Sequence, residues 1–386
     1  MAWTTPYAQQ QCSTLEASLP PALLDKAYHA THSTLAPSTQ SVYGAGLLRF
    51  TQFCDSWKIS EQDRMPASAV LLTAFTSQCA GSYLGKTINS WLADLRLWHI
   101  LNRAPWYGND DWVCLARTTA GKQGTAFKRP LWAPVSLEHL HTLRRSLDIT
   151  DPFHAAVWAT ALTTFFGCQR LGETTVKSLA SFDPAFHVTC NTPVSKHQLS
   201  NGSSSMSLRI PCTKTTKQEG ASITLTSRED DLCPVAAICN HLAISKDAPA
   251  TMSFFAYQNP DGSFSHMFRG TDQLSYYYTH ISHCHLAHFL DAINGIWQQA
   301  SLDHVSGHSF CIGGAVTLLL AGVPPEVVAA TGGWTSLAFL LYWRHMEEII
   351  PLSTSNAYNR SQLTFLATTF EQFRICNNFP LSALSQ

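Results

Sequence analysis

A chain of 386 residues exceeds what one hydrophobic core usually serves, which predicts two domains, each able to bury its own core without a staple. With 45% hydrophobic and 13% charged residues, the composition argues against a disordered or coiled-coil protein. A formal net charge of −1 sets aside a globally basic nucleic-acid binder, so any basic surface must be local.

Residues Met1 to Thr14 lack the basic and apolar regions of a leader, and no run of eighteen apolar residues occurs, so a soluble intracellular protein with no membrane partner is expected. Twelve scattered cysteines without a CxxC pair fit reduced, mostly buried thiols rather than a disulfide framework.

Residues 1–32 read as a polar N-terminal extension. From Ser38, Tyr43, Leu47, Phe50 and Cys54 recur at helical spacing. A second helix follows Pro66 with Val70, Leu71 and Phe75 on one side, and a third carries Ile88, Trp91, Leu92, Leu95 and Trp98. Residues 33–120 are therefore expected to form a helical domain.

The stretch from Trp112 to Ser136 contains Arg117, Lys122, Lys128 and Arg129 but no acidic residue, and its glycines and prolines argue against one long helix. It reads as an exposed basic connection, with the linker proper at 121–134. It would either touch a phosphate backbone or serve only as a solvated tether.

Within 135–386, Val135 to Ser146 and His154 to Phe166 have helical periodicity, and Gly167 interrupts the second. Phe186 to Cys190, Ser207 to Pro211 and Ser222 to Thr226 are β-prone, with Ser200 to Ser205 suited to a surface loop, which predicts a small antiparallel sheet. Helices return near His308, ended by Gly322, and at Pro325, ended by Gly332 and Gly333. Thr335 or Ser336 then caps another through Phe339 and Tyr342, and Leu363, Leu366, Phe370 and Phe373 suggest a C-terminal amphipathic helix. The expected class is mainly α with a small antiparallel sheet (α+β).

Three segments carry candidate chemistry. In Gly167-Cys168-Gln169-Arg170-Leu171-Gly172-Glu173, Arg170 and Glu173 share one helix face, so the carboxylate can orient a guanidinium fork suited to two phosphate oxygens. Such pairs are more often surface ion pairs of small worth. Lys214, after a strand and before a turn, could reach into a groove and donate a proton, with Lys217 a rival and plain exposure the blander reading. The third segment is Gly307-His308-Ser309-Phe310-Cys311-Ile312-Gly313-Gly314, followed by Gly332-Gly333-Trp334 and Tyr342-Trp343-Arg344.

In this order, Arg-x-x-Glu, hairpin Lys, His-Ser-Phe-x-x-Gly-Gly, Gly-Gly-Trp and Tyr closely resemble the catalytic domain of tyrosine recombinases, particularly the eukaryotic Crypton-type branch. The match spans roughly residues 130 to 350, and the helical region before it is similar to the family's core-binding domain.

The resemblance implies a nuclear, mobile-element-derived protein whose two domains clamp double-stranded DNA, self-associate on it, and break and rejoin it through a 3'-phosphotyrosyl link without metal or other cofactor. It makes Tyr342 the nucleophile, Arg170 a phosphate clamp buttressed by Glu173, and Lys214 the general acid. His308 becomes a phosphate or proton partner, and Trp334 fills a slot held by His or Trp in relatives. The family pattern His-x-x-Arg is broken by Cys311, and losing such a charge commonly costs about 10²–10³ in rate. Arg344 is a possible partial substitute.

A catalytically inactive DNA-binding module is the alternative, a protein-binding scaffold a third reading, and a metal-dependent enzyme a fourth. For that last reading His280, His283, Cys284, His285 and His288 offer ligands, though histidines facing solvent or DNA are the plainer account. Cys233, Cys239 and His241 read as core and helix residues, and Leu318, Leu319, Leu320, Val323, Val327 and Val328 as core packing.

Overall fold

In the computed structural model, residues 3–33, 37–128, 133–270 and 288–334 are described, together with isolated positions 368, 371, 372, 375 and 376. The chain divides into two compact units, Met1–Pro130 and Leu131–Gln386.

The first unit is helical: α1 (Pro6–Ser18), α2 (Pro21–His32), α3 (Pro37–Ser56), α4 (Glu61–Arg64), α5 (Ala69–Cys79), α6 (Gly85–Leu101) and α7 (Asp111–Gln123), followed by a 3-10 turn, Gly124–Phe127. The polar N-terminal extension is thus two helices. Thr5 caps α1, proline opens both, and Trp3 stacks on Trp98 with ring centroids 4.4 Å apart.

The α6 residues Ile88, Trp91, Leu92, Leu95 and Trp98 are all buried, as their spacing predicts. On α5, however, the buried face is Leu72, Phe75, Thr76 and Cys79, while Val70 is exposed. Ser68 caps that helix and fixes its phase, which the apolar count alone does not reveal.

A second correction concerns Trp112 onward. Asp110 caps α7, whose Val113 and Ala120 are buried, so Arg117 and Lys122 sit on a helix rather than a tether. Gly124 serves contact, since a Cβ there would lie 2.6 Å from the Tyr83 carbonyl oxygen, and Gly85 of α6 lets α7 approach, since a Cβ there would lie 2.6 Å from Gly121 Cα.

The second unit contains α8 (Leu137–Ser146), α9 (Pro152–Phe166), α10 (Leu171–Thr174), a 3-10 turn (Leu179–Ser181), β1 (Val194–Gln198), β2 (Ser204–Ile210), β3 (Ala221–Thr226), α11 (Pro234–Ile244), β4 (Tyr257–Gln258), β5 (Phe264–Ser265), α12 (Phe289–Gln299), α13 (Ser309–Leu320) and α14 (Pro325–Thr331). Helix α9 is buried all round from Ala155 to Phe165, mostly with apolar side chains, as befits the central element of a core. Around it gather Phe254, Phe255, Phe289, Trp297 and Phe310. The class is α+β, mainly helical with a small sheet.

That sheet is antiparallel in the order β1-β2-β3, with Met206 opposite Leu225 and Leu208 opposite Ile223 on its buried face. Its first strand is 194–198, not Phe186 to Cys190. The Phe186 and His187 amides turn back onto the Asp183 carbonyl, leaving Thr189 a single bridge to Ser253. Val-Ser-Lys-His-Gln is a mostly exposed edge strand, so it carries no apolar alternation to detect.

Leu319 and Val328 are buried, but Val327 is exposed, correcting its place in the stripe. Cys233 caps α11, and His241 is fully buried with Nε2 3.0 Å from the Phe254 carbonyl oxygen. Among the described residues no helix is long and apolar enough to cross a membrane. The helix expected from Thr335 or Ser336 through Phe339 and Tyr342 lies outside the described residues, as do Leu363, Leu366, Phe370 and Phe373.

Candidate phosphate-binding site

Helix α9 ends at Gly167, and the buried Cys168 adopts a left-handed φ of 51°, which turns the chain so that Arg170 heads α10. Glu173, one turn on, accepts the Arg170 backbone N–H with Oε2 at 3.0 Å and its guanidinium with Oε1 at 3.2 Å. The pair is more than a surface ion pair, since the side chains are 20% and 8% exposed. Inside α10, Thr174 pairs its hydroxyl with Thr164 of α9 at 2.9 Å and so locks the short helix to the core.

Lys214 stands at the tip joining β2 to β3. The tip is closed by reciprocal backbone hydrogen bonds between Thr213 and Lys217 and by the Thr213 hydroxyl, which accepts the amides of residues 215 and 216. Both lysines are exposed, but Lys214, not Lys217, acts electrostatically on His308.

His308 immediately precedes α13. Its imidazole keeps contact with solvent, yet desolvation, then the positive charges of Lys214, Arg170 and Arg269, hold its pKa below the usual histidine value. It is therefore neutral at pH 7, able to donate from one ring nitrogen and accept at the other.

Cys311 is buried at 1% exposure, and its Sγ donates to the His308 carbonyl oxygen at 3.2 Å. Burial pushes this thiol up to about 11, with Arg170 opposing in part. At neutral pH it brings no charge to the site.

Trp334 packs on the two small clusters built around Cys168 and Cys311, and the Thr215 hydroxyl donates to the Gly333 carbonyl oxygen at 3.1 Å. The lysine turn and the segment leading to Trp334 are thereby joined directly.

Arg170, Glu173, Lys214, His308, Cys311 and Trp334 thus gather in one region of the second unit, although they are spread over 165 positions of sequence (334 − 170 + 1). Tyr342 and Arg344 lie outside the described residues, as do Arg129, His280, His283, Cys284 and His285. His288 is described, its Nδ1 3.4 Å from Asp291 Oδ2. Of the cations assigned to the basic connection, Lys122 and Lys128 are exposed, while Arg117 Nε donates to Asn89 Oδ1 at 2.7 Å.

Arg269 is a site residue that sequence reasoning missed. It belongs to no motif, and its local signal is slight: an Arg-Gly pair closing the buried Met267-Phe268 segment.

Chemically, the group offers two guanidinium forks, one ammonium and one neutral imidazole, a set matched to a phosphate diester. No group of three or more candidate metal ligands occurs among the described residues.

No protein-family model and no curated protein matches the chain. Solved structures similar to it include the XerH site-specific recombinase bound to palindromic difH substrate in a post-cleavage complex, at 14% identity and TM-score 0.48, covering 86% of this chain and 79% of that one. The XerH pre-cleavage complex with difH matches at 13% identity and TM-score 0.47, covering 90% and 89%. FLP recombinase in a Holliday junction complex matches at 12% identity and TM-score 0.34, covering 84% and 79%.

Proposed function

We propose that this chain is a DNA-binding protein of the tyrosine recombinase type, Crypton-like and derived from a mobile element, acting on nuclear double-stranded DNA and self-associating on it. The observation that carries the reading is the gathering of Arg170 and Lys214 around a neutral His308, with Glu173 holding Arg170 in place.

In the reaction, Tyr342 attacks phosphorus and gives up its phenolic proton to the accepting ring nitrogen of neutral His308, a bond forms between the phenolic oxygen and the phosphate, and the bond to the 5' oxygen breaks. Lys214 gives that departing oxygen its proton, while Arg170 and His308 hold the non-bridging oxygens. The 3'-phosphotyrosyl link conserves the diester energy, and rejoining is the reverse step. No cofactor enters the scheme.

A second reading, a module that grips DNA without cutting it, is favoured by one feature: the uncharged thiol of Cys311. Nicked suicide duplexes incubated with the full chain separate the two. A covalent adduct lost in Tyr342→Phe supports cleavage. Salt-sensitive retention without adduct, weakened by Arg170→Ala, supports the module. Absence of any retention at low salt rejects both in favour of a protein-binding scaffold.

A further inference from the structure

Arg269 is held by backbone on both sides of its strand-like segment. Its amide donates to the Val176 carbonyl oxygen at 2.9 Å, and its carbonyl accepts from the Leu290 amide at 3.0 Å. Val176 follows the Arg170–Glu173 turn by a few residues and bridges Phe268, so the two arginines are carried on adjoining pieces of main chain. Further pinning comes through Phe268, which also bridges His288 at the start of α12.

The side chain runs toward the candidate site. A methyl placed at Gly307 would meet Leu171 Cβ at 3.5 Å and Arg269 Cδ at 4.0 Å, so the arginine stem passes beside Gly307, which is the neighbour of His308 and lies against Leu171, the neighbour of Arg170. Among the described residues, the charges that act on His308 are all cationic, and Arg269 is one of three.

One bidentate guanidinium places a single hydrogen bond on each of two oxygens, whereas the two non-bridging oxygens of a phosphodiester under attack gain charge and can each accept more than one donor. With Cys311 uncharged, α13 contributes no cation at that position.

Resting on the phosphate-site reading above, we infer that Arg269 is a second phosphate-binding arginine, which shares one DNA phosphate with Arg170 beside His308. The fork comes from the strand-like segment before α12 rather than from α13.

The test uses the full chain with histidine carbon-13 labelled, inorganic phosphate as probe, and the His308 ring resonance assigned through His308→Gln. Phosphate should shift that resonance and raise its titration midpoint. Arg269→Gln and Arg170→Gln should each weaken phosphate binding about tenfold or more, Arg269→Lys should recover part of it, and Lys196→Gln on the exposed edge strand should bind as the parent does.

On random-sequence duplex DNA, Arg269→Gln should reduce the slope of log affinity against log salt by about one. Parent-like phosphate binding and salt slope in Arg269→Gln, with loss in Arg170→Gln, would overturn the role of Arg269 and leave the site intact. If phosphate leaves the parent His308 resonance unmoved, the phosphate-site reading itself fails, and this inference with it.

Discussion

Glu173 grips Arg170 at two points, one carboxylate oxygen on the backbone amide and the other on the guanidinium, so a single side chain both caps α10 and aims the arginine. Glu173→Ala should therefore destabilise the second unit by about 1–3 kcal/mol and weaken DNA retention together. Glu173→Gln, which still offers an acceptor to the amide, should lose less stability than it loses retention. Urea unfolding beside filter retention measures the split; equal stability losses in the two variants would count against the capping role.

Thiol reactivity should follow burial. At pH 8, iodoacetamide is expected to label exposed Cys12 and Cys114 first, and to reach Cys54, Cys79, Cys168 and Cys311 only on unfolding. Peptide mass spectrometry reads the order. Labelling of native Cys311 as fast as Cys114 would show that its thiol is not held neutral.

Two glycines of α13 tolerate no side chain. A Cβ on Gly313 would fall on the Val135 carbonyl oxygen, and one on Gly314 on that of Phe165. Alanine at either position should cost about 3 kcal/mol or more, because main chain cannot yield as a side chain does. Gly295 of α12 has nothing within 4 Å, and Gly295→Ala should instead stabilise by up to about 1 kcal/mol. Thermal unfolding of the three variants checks the contrast.

Acid should loosen the first unit. Buried His99 accepts the Ala67 amide with Nε2 at 3.0 Å and donates from Nδ1 to the Leu95 carbonyl oxygen at 2.8 Å, a pattern open only to the neutral ring. Its folded pKa lies below the unfolded value because burial opposes the charge. The stabilisation is then complete above the unfolded histidine value of about 6.5 and is lost as pH falls through it toward the folded pKa. Urea midpoints between pH 8 and 5 should fall, less steeply in His99→Gln; identical slopes would remove His99 as a cause.

Much of the fold is legible in the sequence. That Arg170, Lys214, His308 and Trp334 belong together is what the family resemblance of their order implies, since each segment taken alone has a blander reading. The helices with strong apolar spacing, such as that bearing Trp91 and Trp98, read directly. What escaped shares a cause: its stabilising partners lie far away in sequence. The edge strand at Val194 has little buried face to show, and Gly124 reads as a breaker because the backbone it approaches, Tyr83 to Gly85, lies far away in sequence. Arg269 carries no local pattern, since its place is set by Val176 and Leu290.

The close seating of α13 has a consequence for how this protein could change over generations. Gly314 rests on the Phe165 carbonyl at the end of α9 and Gly313 on the Val135 carbonyl ahead of α8, so both gaps are measured in main chain and not in side-chain bulk. Drift in the size of surrounding apolar residues leaves those gaps nearly constant. The side chains on α13 that face away from these contacts can accordingly be exchanged without altering how the helix is seated.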